Sequence, residues 1–318
     1  MPRGVWTPLF YVIMIIMKNT HIEHPEDSIL TGDLSALDWF TSRGDLSIKI
    51  DGAPAIVWGT NPANGKFFVG TKSVFNKVKI KINHSHEEID KNHEGIVATI
   101  LHECFDYLPE VDTILQGDFI GFGGDNTYQP NTLTYVFPEI VTQNIIIAPH
   151  TYYIADDDLR GAIAFPLTKE FPSNDEVLFV TPKVELAQHL DDIEQTCAFA
   201  KQIATLVEFA SEREAKEIKK TINKYIREGV DIDEDEIAEL HQCDINLLRL
   251  WKLVDSIKMD FFCYLTPDDS LKCIVKGIIV DHEGYVMHNE YGSFKIVDRN
   301  TFSYFNFNLS PMNQRGDG

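Results

Sequence analysis

Short apolar runs alternate with turn residues in the first half of the chain, which is the pattern of β-strands. Between residues 46 and 74 the runs SIKI, AIVWGT and KFFVGTKS are separated by turn residues, among them NPANG. This order predicts two strands, a turn and a third strand. Further strands are predicted at TILQGDFIGF, LTYVFPEI, NIIIAPHTYYI and EVLFVTP.

Elsewhere apolar residues recur every three or four positions, a spacing that predicts amphipathic helices. One such segment ends before Pro109, and three more follow Pro182. Strand-like runs return after them in CIVKGIIVD, YVMHNE and SFKIVDR. The predicted helices cover residues 86–107, 186–207, 218–226 and 237–257.

This order of elements predicts an α+β protein with a mixed or antiparallel sheet. The simplest division is a sheet domain of residues 18–182 and 259–318 that carries a helical insertion at 183–258. Residues 1–17 form an apolar extension, and its run VWTPLFYVIMIIM is shorter than the ~20 residues of a membrane span. We therefore expect no membrane attachment. The extension fits a signal segment, a buried strand or a stretch upstream of a start at Met17.

Charge and cysteine content limit the possible partners and the compartment. The chain has 49 acidic and 28 basic residues, a net charge of -21, so tight general binding to DNA is not expected. Lysines nevertheless concentrate between residues 66 and 81, whereas acids crowd residues 156–158 and 231–239. The five cysteines include no C-x-x-C pair, which predicts neither a disulfide framework nor a thiolate zinc site. A reducing cytoplasm is the expected location.

The segment Lys49-Ile50-Asp51-Gly52 is the feature that points to chemistry. Its ordinary interpretation is a strand end in which Asp-Gly makes a turn. Its chemical interpretation is that the Lys49 amine attacks the α-phosphorus of ATP, expels pyrophosphate and holds AMP in a phosphoramide bond. A free lysine has a pKa of about 10.4, so such an amine needs desolvation or a neighbouring positive charge to react.

The K-x-D-G pattern resembles the signature of the covalent nucleotidyltransferases, the superfamily of ATP-dependent DNA ligases, RNA ligases and mRNA capping enzymes. Leu115–Phe119 (LQGDF) resembles its third motif, Glu283–Val286 (EGYV) the fourth, and Phe294–Val297 (FKIV) the fifth. The four segments stand in the order of that superfamily between Lys49 and Arg299. The resemblance implies a mixed or antiparallel-sheet adenylation domain of the ATP-grasp-like ligase type.

The resemblance also implies a role for each matching residue. Asp118 holds the ribose or a metal-bound water, and Glu283 organises Mg²⁺ or Mn²⁺ near the α-phosphate. Lys295 contacts the α-phosphate and depresses the pKa of Lys49. Phe137 takes the place of the aromatic residue that stacks on adenine. The implied site comprises Lys49 and Lys295 in catalysis, Ile48, Asp51, Gly52, Lys72, Asp118, Phe137, Glu283 and Lys295 at the nucleotide, and Asp118 and Glu283 at the metal.

Four positions depart from the ligase pattern. Pro54 stands where many ligases carry arginine or asparagine, and Lys72, in GTKS, stands where the arginine of an S-R-x-G element often lies. Lysine holds phosphate without the two-pronged fork of arginine. Asp118 is one methylene shorter than the usual glutamate, and Val297 replaces a second lysine. These departures bear on ligation more than on nucleotide binding.

The RNA ligases of tailed bacteriophages are the preferred subclass. Few residues follow Lys295, and a C-terminal OB-fold, which needs several strands, is not expected. The tyrosine of EGYV and the FKI opening of the last motif also resemble those enzymes. The expected activity is transfer of AMP to a nucleic-acid 5'-phosphate, with RNA favoured. Two alternatives stay open: transfer of AMP to a protein or small molecule, and a non-catalytic relative whose acidic segment 183–258 binds a protein partner.

A second group of chemically active side chains lies between residues 84 and 103. Histidine and carboxylate at helical spacing can converge on a metal ion. The flanking lysines and the lack of a compact H-x-x-x-H element favour a polar, solvated helix instead. The group consists of His84, His86, Glu87, His93, His102 and Glu103.

Overall fold

A computed structural model describes residues 22–167, 170–275, 277–280 and 282–302. The apolar extension at residues 1–17, and with it our interpretations of that segment, lies outside the described residues. In the described part of the chain, no helix combines the length and apolar character needed to cross a membrane.

Helices and strands occur in groups along the described chain. The helices are α1 Pro25–Ser28, α2 Ser35–Trp39, α3 His86–Asn92, α4 Gly95–Tyr107, α5 Asp191–Ala204, α6 Glu212–Glu228, α7 Glu234–His241 and α8 Ile245–Phe262. The strands are β1 Asp45–Ile48, β2 Ala55–Thr60, β3 Phe67–Gly70, β4 Ile114–Phe122, β5 Thr127–Tyr128, β6 Thr134–Val136, β7 Ile145–Ile154, β8 Ile163–Pro166, β9 Val177–Phe179, β10 Val184–Leu186, β11 Leu265–Pro267, β12 Lys272–Val275, β13 Ile278–Val280, β14 Gly284–Asn289 and β15 Gly292–Val297.

The sheets confirm the predicted α+β class at its coarse level. Every pair of described strands runs antiparallel except β7 and β9, which are parallel, so the main sheet is mixed. The strands form sheets in the orders β3-β2-β4-β7-β8 with β9 beside β7, β13-β12-β6-β5, β1-β14-β15 and β10-β11.

The chain divides into two compact units. Among the described residues, the first unit comprises Gly52–Asp125 and Ile140–Val180. The second comprises Ile22–Asp51, Asn126–Glu139 and the chain from Thr181 onward. The change of unit at residues 180 and 181 lies next to the sequence change that we placed at residue 182.

The first unit is built from the sheet β3-β2-β4-β7-β8 and helix α4. The apolar run of β2 buries Ile56 and Trp58, and α4 contributes Leu101 and Cys104 to the same core. Leu115 of β4 joins them, so β4 is covered on this face. Burial of such apolar side chains is the main favourable contribution to folding.

The second unit brings the helices after residue 190 together with the start of the described chain. Leu30 shares one core with Ile218, Ile222 and Trp251, which lie on α6 and α8. At the other end of α8, the Phe261 ring centroid lies 6.0 Å from that of Trp39. The helices of residues 183–258 therefore belong to the same unit as the N-terminal helices and do not form a unit by themselves.

Two predicted helices are each divided into two. The helix predicted at residues 86–107 breaks after α3, because His93 is extended and Gly95 has a φ of +62°. The helix predicted at 237–257 breaks at Gln242, whose φ is 52°. Asp244 then begins α8, since its side chain accepts a hydrogen bond from the backbone of Asn246. Hydrophobic spacing alone does not reveal such breaks, because both halves keep the same period.

Candidate functional site

Strand pairing in the second unit brings together the first and fourth of the predicted motif segments. β1 pairs with β14 in a register that places Ile48 opposite Tyr285. The ladder continues by one residue, since the Lys49 backbone N–H donates to the carbonyl of Gly284 at 2.8 Å. Glu283 immediately precedes β14, so this register sets its carboxylate beside Lys49 although 234 residues separate them.

The Lys49 amine lies between two carboxylates. Its Nζ donates to Oε2 of Glu283 at 2.5 Å and lies 3.9 Å from Oδ1 of Asp51. The Lys49 side chain is 30% exposed and that of Glu283 is 8% exposed. The amine is therefore accessible, while the carboxylate that holds it is largely removed from water, where a charge-assisted hydrogen bond is stronger.

Asp51 is held on three sides by the segment from residue 126 to residue 139. The Tyr135 hydroxyl accepts a hydrogen bond from the Asp51 backbone N–H at 2.8 Å and donates to the Asp51 carbonyl at 3.1 Å. The side chain of Asn131 donates to Oδ2 of Asp51 at 2.6 Å. Neither Asn131 nor Tyr135 was among our predicted site residues. They are 80 and 84 residues from Asp51, and a contact at that separation leaves no spacing pattern in a sequence.

Tyr135 lies inside the sheet β13-β12-β6-β5. It stands opposite Cys273 of β12 in the strand register. Burial raises the pKa of Tyr135 well above its ordinary value, so its hydroxyl keeps its proton and remains a donor. Burial likewise raises the pKa of Cys273 to about 12, which makes this thiol a poor nucleophile.

Lys295 lies on β15, opposite Val286 of β14. Its backbone N–H donates to the carbonyl of Glu23 at 3.0 Å. Burial lowers the pKa of Lys295, the nearby charge of Glu23 opposes that change, and the positive charge of Lys49 lowers the pKa further. The two lysines are thus close enough to repel, and the second unit brings together Lys49, Asp51, Glu283 and Lys295.

A buried group of charged side chains joins the start of the described chain to α8 and to the segment after Lys295. Nη1 of Arg299 donates to Glu26 at 2.9 Å and to Asp27 at 3.0 Å. Nζ of Lys258 donates to Glu26 at 2.7 Å and to Asp255 at 2.6 Å. All but Asp255 are buried, so removal of one partner leaves an uncompensated charge away from water.

The other predicted residues of the second unit have apolar surroundings. Ile48 is buried at the end of β1. Phe137 is buried just after β6, where its ring meets the edge of the Tyr128 ring at a centroid distance of 5.7 Å. The stacking of Phe137 on adenine stays a prediction.

Three predicted residues belong to the first unit. Gly52 lies so close to β4 that a Cβ would come within 2.5 Å of the Phe119 carbonyl, so this position excludes side chains. Lys72 is exposed in a short 3₁₀ turn after β3. Asp118 lies on β4, where its Oδ1 is 3.5 Å from Nε2 of His150 on β7. Their predicted roles at the nucleotide and the metal stay predictions.

Fold and site together define an α+β protein with an accessible lysine held by a carboxylate at the end of paired strands. The chain matches the family of unknown function DUF6267 over residues 19–243 and 232–311, and it belongs to that family. No curated protein matches the chain, and no solved structure matches it.

Proposed function

We propose that this chain is a covalent nucleotidyltransferase of the RNA ligase type, with an ATP-grasp-like adenylation domain, in which Lys49 carries AMP. The observation that supports this most is the 2.5 Å contact between the Lys49 amine and Glu283. It joins the first and fourth motif-like segments, whose resemblance to the superfamily was read from sequence alone. Lys295 of the fifth segment is near enough for its charge to interact with that of Lys49.

The first step forms a bond between Nζ of Lys49 and the α-phosphorus of ATP. The bond from that phosphorus to the bridging oxygen breaks, and pyrophosphate leaves with the electron pair. The Lys49 ammonium gives up a proton before it attacks, and the Glu283 carboxylate is the nearest acceptor, at 2.5 Å. Lys295 stabilises the negative charge that develops on the α-phosphate oxygens.

The carboxylates around Lys49 have the chemistry that a magnesium ion needs. Mg²⁺ prefers oxygen ligands and is usually held by one or two carboxylates together with substrate phosphates and water. Glu283 and Asp51 offer two such groups near the same amine. Among the described residues no three His, Cys, Asp or Glu side chains form a metal-holding group. When bound, the ion neutralises phosphate charge.

Asn131 and Tyr135 fix the backbone that presents the amine. Their hydrogen bonds reach the N–H, the carbonyl and the carboxylate of Asp51, two residues after Lys49. A nucleophile needs a defined position relative to the phosphorus, and a displacement of about 1 Å can cost roughly 10²-fold in rate. The two side chains therefore act as positioning residues for Lys49.

The second step transfers AMP to the 5'-phosphate of RNA. A phosphate oxygen attacks the AMP phosphorus, the bond from phosphorus to Nζ breaks, and the amine regains its proton. A 3'-hydroxyl then displaces AMP and seals the strand. Support for a nucleic-acid acceptor comes from the exposed lysines of the first unit, because lysine side chains bind phosphate and release counterions. These lysines are Lys66, Lys72, Lys77 and Lys79.

A labelling experiment tests the proposal. The full chain is incubated with ATP labelled at the α-phosphate and with Mg²⁺, and the denatured protein is examined for label. The native protein becomes labelled and the Lys49→Ala variant does not. The Glu283→Gln variant labels about 10²-fold more slowly or worse, which is the usual scale for the loss of one preorganised contact. Lys201→Ala, which removes a lysine paired with Asp38 far along the chain, is the matched control and labels normally.

The acceptor is tested on the labelled protein. Addition of 5'-phosphorylated RNA releases the label onto the RNA, whereas RNA with a 5'-hydroxyl does not. If the label stays on the protein when RNA is added but is transferred when a protein or small molecule is added, that acceptor, and not RNA, is the substrate. Absence of label on the native protein contradicts the proposal and favours a non-catalytic protein whose acidic segment 183–258 binds a partner.

A further inference from the structure

Two histidines and two aspartates form a continuous chain of contacts between α3 and α4 in the first unit. Nδ1 of His86 and Nδ1 of His102 lie 2.7 Å apart. Nε2 of His86 is 3.1 Å from Oδ1 of Asp106, and Nε2 of His102 is 2.9 Å from Oδ1 of Asp90. Each helix supplies one histidine and the aspartate that contacts the other helix's histidine.

The hydrogens required by the two outer contacts leave neither Nδ1 atom with a hydrogen to donate to the other. An ionised carboxylate only accepts hydrogen bonds, so each Nε2 must carry the hydrogen that it donates to its aspartate. A neutral imidazole with hydrogen on Nε2 has a bare lone pair on Nδ1. Two bare lone pairs would then face each other at 2.7 Å, which is repulsive. A metal ion bound by both Nδ1 atoms would remove this repulsion.

We propose that His86 and His102 bind a divalent transition-metal ion of the zinc class through their Nδ1 atoms. Metal-ligating histidines almost always donate the other ring N–H to a carboxylate or a similar acceptor, and here Asp106 and Asp90 fill that role. Imidazole suits zinc, copper and nickel, whereas magnesium prefers oxygen.

The geometry allows the ion to enter with a small adjustment. Zinc–nitrogen bonds of ~2.0–2.1 Å at a tetrahedral angle separate the two nitrogens by about 3.3 Å, so the rings must move apart by about 0.6 Å. His86 and His102 are 45% and 27% exposed, so their side chains have room to turn. The site has two protein nitrogens, and no third His, Cys, Asp or Glu completes a metal-holding group among the described residues. Water or a substrate atom takes the remaining positions.

This site is independent of the proposed reaction at Lys49. It was not expected from the sequence, because the flanking lysines and the absence of a compact H-x-x-x-H element favoured a solvated helix. The fold changes that expectation: the break between α3 and α4 brings side chains 16 positions apart into contact.

Metal titration of the full chain tests the inference. Zn²⁺ is added to protein freed of metal with a chelator, and heat release and thermal unfolding are measured, with Mg²⁺ as the comparison ion. One Zn²⁺ binds per chain at this site and raises the unfolding temperature, whereas Mg²⁺ does neither. His86→Ala and His102→Ala each abolish this binding event. Asp106→Asn, which keeps both ligands, weakens it by about 10- to 100-fold.

The matched control is His84→Ala. His84 also contacts a carboxylate, with Nδ1 3.1 Å from Oε2 of Glu88, but its Nε2 lies 3.1 Å from an amide, Nδ2 of Asn61. This variant keeps native zinc affinity. The inference is overturned if zinc binding is absent, or if it survives unchanged in both His86→Ala and His102→Ala. Far-ultraviolet circular dichroism establishes that each variant is folded.

Discussion

At the scale of single residues, Tyr135 is the side chain whose role is most specific to this structure. Its hydroxyl contacts both backbone polar groups of Asp51, and it is almost fully buried. Replacement by phenylalanine keeps the ring and removes only those hydrogen bonds. We therefore expect a loss of positioning at Lys49 with little change in the fold.

The Tyr135→Phe variant should form lysyl-AMP more slowly by about 10-fold or more, because Lys49 is no longer fixed relative to the phosphorus. The loss should appear in the maximal rate and not in the ATP concentration that gives half of it. Stability should fall by about 2 kcal/mol, because two hydrogen bonds are lost and each has a usual net value of about 1 kcal/mol. Single-turnover labelling at several ATP concentrations separates the two constants. A native rate in a folded variant would remove the positioning role.

The buried imidazole of His24 should make the stability of the folded protein depend on pH. Burial lowers the pKa of this imidazole far below its ordinary value of 6.5, and nearby cations such as Arg299 lower it further. Its Nδ1 has no hydrogen-bond partner among the described residues. The folded protein thus keeps His24 neutral, whereas the unfolded chain binds a proton below pH about 6.5. Stability from this residue is complete above that pH and is lost as the pH falls.

The free energy of unfolding falls by up to about 1.4 kcal/mol for each pH unit below 6.5, because only the unfolded state takes up the proton. Urea unfolding at a series of pH values measures it. The His24→Gln variant cannot gain this proton and should show a shallower dependence, although other groups contribute equally to both proteins. Equal slopes for the native chain and the variant would contradict a neutral, buried His24.

The sequence allowed prediction of some residues of the site and not of others. Lys49 and Glu283 belong to local segments that resemble known motifs, so both were available before the structure. Tyr135 acts through hydrogen bonds to the backbone of Asp51, and Asn131 acts through one to the Asp51 carboxylate. Contacts between residues so far apart in sequence leave no local pattern. The local sequence around Tyr135 reads as an ordinary strand, which it also is.

At the scale of elements, the break between α7 and α8 depends on one residue in an unfavourable conformation. Gln242 has a φ of 52°, a left-handed conformation that costs a residue with a Cβ roughly 1–2 kcal/mol. The end of α6 has the same geometry with the residue that tolerates it, because Gly229 has a φ of 66°. The two helix ends form a matched pair.

Opposite substitutions at these two positions should have opposite effects. Gln242→Gly should stabilise the protein by up to about 1 kcal/mol, since relief of the strained φ exceeds the entropy that glycine loses on folding. Gly229→Ala should destabilise it by a similar amount. Chemical denaturation measures both changes in the free energy of unfolding, and we expect the denaturant dependence of that free energy to stay unchanged. Destabilisation by Gln242→Gly would show that the side chain, and not the backbone, holds this turn.

Hydrophobic spacing predicted where most helices and strands lie, but not where they break. The period of three to four residues crosses His93 and Gln242 without interruption, because both halves of each pair bury the same face. Their breaks depend on capping and on backbone conformation. Strand pairing was equally hidden: nothing in the spacing of β1 indicates that its partner is β14, and that pairing creates the contact between Lys49 and Glu283.

At the scale of the whole molecule, the helices after residue 190 are part of a core that includes residues from the start of the described chain. We predicted an insertion at 183–258 from the change in sequence character, which is a local signal. The core that joins Leu30 to Trp251 is a long-range feature and has no such signal. Deletion of this segment would expose Leu30 and its neighbours.

Overall charge of -21 makes any RNA contact dependent on a local basic surface. We expect that surface at Lys66, Lys77 and Lys79, which are exposed in the first unit. Replacement of all three by serine should weaken RNA binding and reduce the slope of log affinity against log salt by up to about 2, given ~0.7 for each lost phosphate contact on a single strand.

The matched control replaces three lysines of α6, Lys216, Lys220 and Lys224, by serine, which changes the net charge equally. Lysyl-AMP formation should be native in both variants, because none of the six lysines is among the residues proposed to hold or transfer AMP. Fluorescence anisotropy with labelled RNA at several salt concentrations compares them. An equal loss of RNA affinity in both variants would indicate that net charge, and not this segment, governs binding.

The most direct measurement locates the AMP on the protein. The native chain is incubated with ATP and Mg²⁺, digested under conditions that preserve phosphoramide bonds, and analysed by fragment-ion mass spectrometry. Our account predicts an AMP adduct on Nζ of Lys49, which addition of 5'-phosphorylated RNA removes. An adduct on any other residue, or none at all in a folded protein that binds ATP, would contradict it.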